Sequence, residues 1–175
     1  NLNSKQITIL YKNGSLDSPI LVNILKYFSE INVEIRYPSG LYKEIFEVLS
    51  EIKIKYLERM SIKVIISKIN EIKDEFLNNE MINIVRIEDP ISFIYEEAFR
   101  GCIQLKDIII PPNVPSLGKS IFRGCPALTN ISIPDSVTTI GNHAFRGCHQ
   151  LPKISIPSTV TEIGKSTFRG CFNLC

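Results

Sequence analysis

No apolar run in these 175 residues reaches the roughly 18 consecutive positions that a membrane-spanning helix requires, so no such span is expected. Charge of one sign is scarce as well. The formal excess of +2 gives little long-range field for nucleic acid or for an anionic membrane surface. Histidine is limited to His143 and His149, which leaves little imidazole for acid–base chemistry. At the N-terminus, Asn1 is neither a methionine nor part of a signal-like segment, and Cys175 falls partway through a repeated pattern. The chain is therefore expected to be a fragment. What is present is 44% hydrophobic residues, enough for a substantial core in one or two domains.

Four of the five cysteines are evenly spaced: Cys102, Cys125, Cys148 and Cys171 fall 23 residues apart. A uniform long interval is unlike a small disulfide framework and marks stacked repeats. Aligned on it, Phe99-Arg-Gly-Cys102, Phe122-Arg-Gly-Cys125, Phe145-Arg-Gly-Cys148 and Phe168-Arg-Gly-Cys171 are copies of one segment. Each cysteine is followed at the third position by Leu105, Leu128, Leu151 or Leu174. Alternating pairs follow (Ile108 and Ile110, Ile131 and Ile133, Ile154 and Ile156), then Pro111, Pro134 and Pro157. Val114, Val137 and Val160 come next, then Leu117-Gly118, Ile140-Gly141 and Ile163-Gly164.

The L-x-x-I-x-I stretch has period two and predicts a short strand with one buried face. Proline cannot donate to a ladder, so the strand ends there and the chain turns. Valine, Leu/Ile and phenylalanine refill the interior on the return. The two glycines suit corners that need positive φ or close backbone approach. One coil cannot bury its own apolar face, whereas stacked coils join those faces into one core.

Shifting the pattern back once places Val85, Ile87, Ile91, Ile94 and Phe76 under Ile108, Ile110, Val114, Leu117 and Phe99, as a degraded copy. Leu49-x-x-Ile52-x-Ile54 and Phe28-x-x-Ile31-x-Val33 match the strand pattern alone. Residues 18–28, with Ser18 as N-cap and Pro19 at the first position, read as a helix. So do Leu41 to Leu49 after the Pro38-Ser39-Gly40 turn, and part of residues 55–77, where Ile65, Ile69, Ile72 and Phe76 recur at helical spacing. Residues 1–80 are thus expected to be a divergent strand–helix region, either irregular repeats or a cap. A separate small α/β domain joined near residue 80 is the rival. Residues 81–175 are the regular array.

The pattern I-P-x-x-V-x-x-I-G-x-x-A-F-x-G-C-x-x-L resembles the BspA-like class of leucine-rich repeats. Residues 99–175 match closely, with Ile133 through Cys148 nearly a consensus copy, while residues 76–98 match weakly and residues 1–75 do not match recognisably. The departures are Pro112 and Pro115, expected to bear on the turn, and Ile121 and Thr167 in place of the alanine seen at Ala98 and Ala144. The resemblance implies a leucine-rich-repeat solenoid, α/β but strand-rich. It would have short parallel strands stacked on one face, an irregular or turn-rich return side and more helical N-terminal coils. It also implies a surface-associated protein that adheres to host or matrix proteins, with no family-wide catalytic residues.

Enzymatic readings find little support in the residues. His143 aligns with Ser120 and Ser166 at a turn, and His149 adjoins Cys148, from which it should point away. Gly118-Lys119-Ser120 and Gly164-Lys165-Ser166 lack the earlier glycine of a phosphate-binding loop, with Asn113 and Thr159 in its place. Glu44, Glu47 and Glu51 lie at helical spacing and read as one solvated face. C-x-x-C spacings that would converge on zinc are missing, and the column cysteines are expected to be reduced and buried. No cofactor or metal is expected. Asn13-Gly14-Ser15 and Asn130-Ile131-Ser132 fit the short N-glycosylation pattern.

Two surfaces remain. The outward strand positions Asp107, Ile109, Asn130, Ser132, Lys153 and Ser155 vary between coils while the inward columns hold, as a tunable protein-binding face would. Arg100, Arg123, Arg146 and Arg169 form a basic ladder suited to an acidic polymer or an acidic protein face. The expected function is non-catalytic protein–protein interaction or adhesion, at the cell surface if the family habit holds. The alternative is an intracellular scaffold or regulatory binding module.

Overall fold

The computed structural model describes residues 6–11, 30–37, 60–66, 71–74, 76–88 and 91–175. Among them the strands are β1 (Gln6–Tyr11), β2 (Glu30–Tyr37), β3 (Met60–Ile66), β4 (Glu71–Ile72), β5 (Ile82–Ile87), β6 (Phe93–Ile94), β7 (Asp107–Ile109), β8 (Ser116–Leu117), β9 (Asn130–Ser132), β10 (Thr139–Ile140) and β11 (Glu162–Ile163). They form a parallel sheet in the order β1-β2-β3-β5-β7-β9. On the return side run two smaller parallel sheets, β4-β6 and β8-β10-β11. From β3 to β9 each coil contributes a strand to the long sheet, turns, and comes back along the other side through β4, β6, β8 and β10, which is the course of a solenoid.

The repeat columns become ladders. Val85 pairs with Ile108 and Ile108 with Ile131, so the 23-residue sequence shift is also the register of the sheet. Inside, Phe76, Phe99, Phe122, Phe145 and Phe168 stack face to face, with successive ring centroids 5.3, 5.6, 5.5 and 5.6 Å apart. One ring per coil matches one strand per coil, and the ring spacing is a little wider than the roughly 4.8 Å step of a β-ladder. The degraded copy keeps this interior. Phe76 joins the ring stack, and Ile91 and Ile94 are buried although the proline and glycines are missing.

One irregularity sits where the degraded copy meets β3. Ile62 pairs with Ile82 but Lys63 with Ile84, which leaves Asn83 as an extra residue in β5. Asn83 is buried, and its Oδ1 accepts the Ile62 N–H at 2.8 Å. The side chain thus takes up a donor that the bulge would otherwise orphan.

The two glycine columns serve different needs. Gly124 and its equivalents have positive φ, +72° at Gly124, and close the Phe-Arg-Gly-Cys turn. Gly141 has an ordinary φ, but a Cβ there would lie 2.7 Å from the Lys119 nitrogen, so close approach demands it. The departures from consensus are absorbed. Val114, Val137 and Val160 each donate to the proline three residues earlier, so Pro112 and Pro115 leave the turn unchanged. Pro112 occupies the second turn position, where proline's fixed φ is favourable. Thr167 is buried and gives its hydroxyl to the carbonyls of Gly164 and Gly141.

The helical reading of residues 55–77 is corrected. Ile65 lies in β3, Ile72 in β4, and Phe76 in a turn that feeds the ring stack. Spacings of seven and four residues fit a helix, but they equally fit inward positions on successive segments of one coil. The β-branched run Ile62 to Ile66 decides for strand. Ile31 and Val33 lie in β2 as expected, whereas β1 and β3 did not stand out in the sequence. The helices expected at 18–28 and 41–49, the strand at Leu49 to Ile54, Ile69, the Glu44/Glu47/Glu51 face and the Asn13 sequon lie outside the described residues.

Candidate interaction surfaces

The outward face of β5, β7 and β9 is built by strand parity. Val85 and Ile108 point inward and are fully buried, so their neighbours point outward. Ile109 is 47% exposed, and Asn130 and Ser132 are exposed on the adjacent strand. Asp107 is only half-exposed, because it is tied from both sides. The Arg86 guanidinium on β5 forms an ion pair with its Oδ2, and Asn130 Nδ2 on β9 donates to its Oδ1 at 3.0 Å. The result is a polar bridge across three strands beside an exposed isoleucine. Lys153 and Ser155 occupy the same repeat positions in the next coil and are exposed, but their segment lies outside the strand ladder. Arg86 escaped notice in the sequence. Its position two residues after Ile84, on the outward parity of β5, was the signal that could have found it.

The arginine ladder sits on the opposite rim of the coil, in the turn closed by the positive-φ glycines. Arg100, Arg123 and Arg146 are half-exposed and Arg169 is exposed. The backbone locks them in a row: Gly101 N donates to Arg123 O, Gly124 N to Arg146 O and Gly147 N to Arg169 O, at 2.8, 2.8 and 2.9 Å. Arg100 also reaches Glu97, with Nη1 3.0 Å from Oε2. Beside this row, His149 is exposed and its ring stacks on Phe172, with centroids 5.2 Å apart.

The cysteine column is interior. Cys102, Cys125 and Cys148 are fully buried. The thiols of Cys102, Cys125, Cys148 and Cys171 donate to the carbonyls of Phe76, Phe99, Phe122 and Phe145 in the preceding coil, at 3.0, 3.1, 3.3 and 3.1 Å. Burial pushes the Cys102 and Cys148 thiols up to about 12 and that of Cys125 well above its ordinary value. These are inert thiols, unlike the low-pKa, accessible kind that acts as a nucleophile.

His143 takes a positive φ of 60°, as do Glu97, Ser120 and Ser166 at equivalent positions, so this column is a corner of the coil. Its Nδ1 is buried without a hydrogen-bond partner among the described residues. Among those residues no group of three or more His, Cys, Asp or Glu is placed to hold a metal ion, and no helix is long and apolar enough to cross a membrane.

Comparison with known proteins agrees with this architecture. Residues 70–175 match the family model described as BspA type leucine rich repeat region, in six copies. No curated protein matches the chain. Among solved structures, a leucine-rich repeat protein from Bacteroides ovatus is 32% identical with a TM-score of 0.61, covering 64% of this chain and 32% of that one. The T. pallidum leucine rich repeat protein is 27% identical with a TM-score of 0.62, covering 65% and 56%. A leucine rich cell surface protein from Faecalibacterium prausnitzii is 30% identical with a TM-score of 0.50, covering 66% and 37%. The matched part of this chain thus spans between about a third and just over half the length of these structures.

Proposed function

Because the chain belongs to the BspA type leucine-rich-repeat family, we propose that it is a non-catalytic protein-interaction module that adheres to a host or matrix protein through the outward face of β5, β7 and β9. The observation that carries this reading is the contrast between columns. Inward positions repeat from coil to coil, whereas the outward column Asp107, Asn130 and Lys153 changes at every coil and the column Ile109, Ser132 and Ser155 changes once. An exposed isoleucine beside a fixed Arg86–Asp107–Asn130 bridge is an anchor with an ordered polar surround, the arrangement from which binding hot spots are made. In this reading residues 81–175 are the regular array and residues 1–80 a divergent N-terminal region. The cell-surface address draws support from the F. prausnitzii relative, whose description places that protein at the cell surface.

The test has two arms. Intact cells expressing the protein are treated with a membrane-impermeant label; labelling supports the surface reading, and protection until lysis supports the intracellular scaffold. The purified chain and its Ile109→Glu variant are then compared on a panel of immobilised matrix proteins. Binding that Ile109→Glu abolishes without altering the melting temperature supports the strand face. Equal binding by both proteins removes it.

A further inference from the structure

Charge is unevenly placed along this chain. The whole sequence has an excess of only +2, yet residues 99–175 hold eight Lys and Arg against three Asp and Glu. Four of those eight are the rim arginines, one in each coil. Arg100 meets Glu97, but three residues before each of the others stand Ser120, His143 and Ser166, none of them a carboxylate. Among the described residues Arg123, Arg146 and Arg169 have no ion-pair partner.

The row is regular as well as unneutralised. Its backbone is bonded coil to coil through the glycine N–H groups, so the arginine stems leave the solenoid at steps of about 5 Å. Like charges held at that interval repel, and a counter-charge spread along the row relieves them together while releasing small ions. An extended acidic peptide presents same-side carboxylates every ~6.7 Å, two residues of strand, and falls out of step within a few coils. An anionic polysaccharide with one charge per sugar ring keeps step far better.

A second column favours the same ligand. The next turn of each coil carries Ile103, Pro126, His149 and Phe172, of which Ile103, His149 and Phe172 are exposed. His149 Nε2 lies 3.9 Å from the Cβ position at Gly147, which places the ring beside the Arg146 corner. His149 and Phe172 stack on each other along the array, so together they offer a continuous strip of ring edge and apolar surface to a chain lying on the rim. We infer that the arginine rim is a binding rail for a linear sulfated or carboxylated polysaccharide. Arg123, Arg146 and Arg169 hold its anionic groups, and the His149–Phe172 column lies under its rings. The rail is on the turn edge, so it stands apart from the strand-face reading and either can fail alone.

The experiment titrates the chain with heparin, with chemically desulfated heparin and with poly-glutamate. Heparin affinity falls roughly twentyfold to fiftyfold between about 50 and about 200 mM salt, as expected for three or four neutralised charges on a linear polyanion. The R123Q/R146Q variant loses about tenfold, whereas K106Q/K153Q, with the same charge removed elsewhere, loses less than about twofold. His149→Ala weakens binding without changing the salt slope, and circular dichroism melts confirm that each variant folds. Three results overturn the proposal: no heparin binding at low salt, equal losses in the arginine and lysine variants, or poly-glutamate binding as tightly as heparin with the same arginine dependence.

Discussion

The Cys125 thiol donates to the Phe99 carbonyl at 3.1 Å, one coil back, and that carbonyl also accepts the Cys102 N–H at 3.3 Å. The cysteine column is therefore a row of hydrogen-bonded donors in the interior, each spanning a coil boundary. Replacing Cys125 with alanine leaves the Phe99 oxygen with its backbone partner. The cost is then a small cavity and one weak bond, about 1–2 kcal/mol, read as a shift in denaturant midpoint.

Thiol reagents distinguish the five cysteines by burial. Cys175 is exposed and reacts at once, Cys171 is half-buried and follows, and Cys102, Cys125 and Cys148 react only on unfolding. Rapid modification of all five in the folded protein would contradict the interior column.

Alkali should loosen the solenoid. In the unfolded chain a thiol ionises near its ordinary value of 9.0, whereas burial holds Cys102 and Cys148 neutral up to about 12. The stabilisation that neutral thiols provide is full below that ordinary value and is lost as the pH climbs toward the folded value. The slope reaches at most about 1.4 kcal/mol per pH unit for each thiol. Between about pH 8 and about pH 10.5, urea midpoints of the wild type therefore fall more steeply than those of Cys148→Ala. Parallel slopes would show that the thiols contribute nothing.

The ring stack predicts a gradient along the array. Phe122 is fully buried between Phe99 and Phe145, so Phe122→Ala costs about 3–5 kcal/mol. Phe168 is only partly buried, so Phe168→Ala costs clearly less in the same chain. Equal losses in chemical denaturation would mean that the rings do not act through burial.

Glycine substitutions separate strain from collision. Gly124→Ala makes only ordinary van der Waals contact, with its nearest neighbours at 3.9 Å, and costs about 1–2 kcal/mol for placing a side chain at positive φ. Gly141→Ala drives a Cβ to 2.7 Å from backbone that cannot move without disturbing the next coil, and it destabilises more. The order of the two melting temperatures checks this.

The array from residue 99 onward was legible because each interior column repeats in every coil, so chemistry and register come from one alignment. β3 was not legible. A coil returns inward-pointing residues at intervals of three, four and seven, which a single sequence cannot separate from helical spacing. The bulge at Asn83 was hidden for a related reason, since an asparagine in a strand looks like a turn residue until its partner, the Ile62 N–H, is known. On the surfaces, parity located Ile109 and Asn130, but nothing in the pattern could show that Asp107 is engaged by Arg86. That contact joins different coils at a position where the repeat does not hold.

The backbone bonds between coils link equivalent atoms throughout: Phe99 N to Ile121 O, Phe122 N to Ala144 O, and Phe145 N to Thr167 O. On this side each coil from Phe99 onward offers its neighbour the same donors and acceptors, so a duplicated or deleted 23-residue unit finds matching partners there. Recombination in the gene can change the array by whole coils without redesigning the interior, and each added coil contributes one more arginine to the rim and one more row to the strand face. The number of rows on both surfaces is therefore set by coil number, and if either surface binds as proposed, a lineage can raise or lower avidity without altering any single contact.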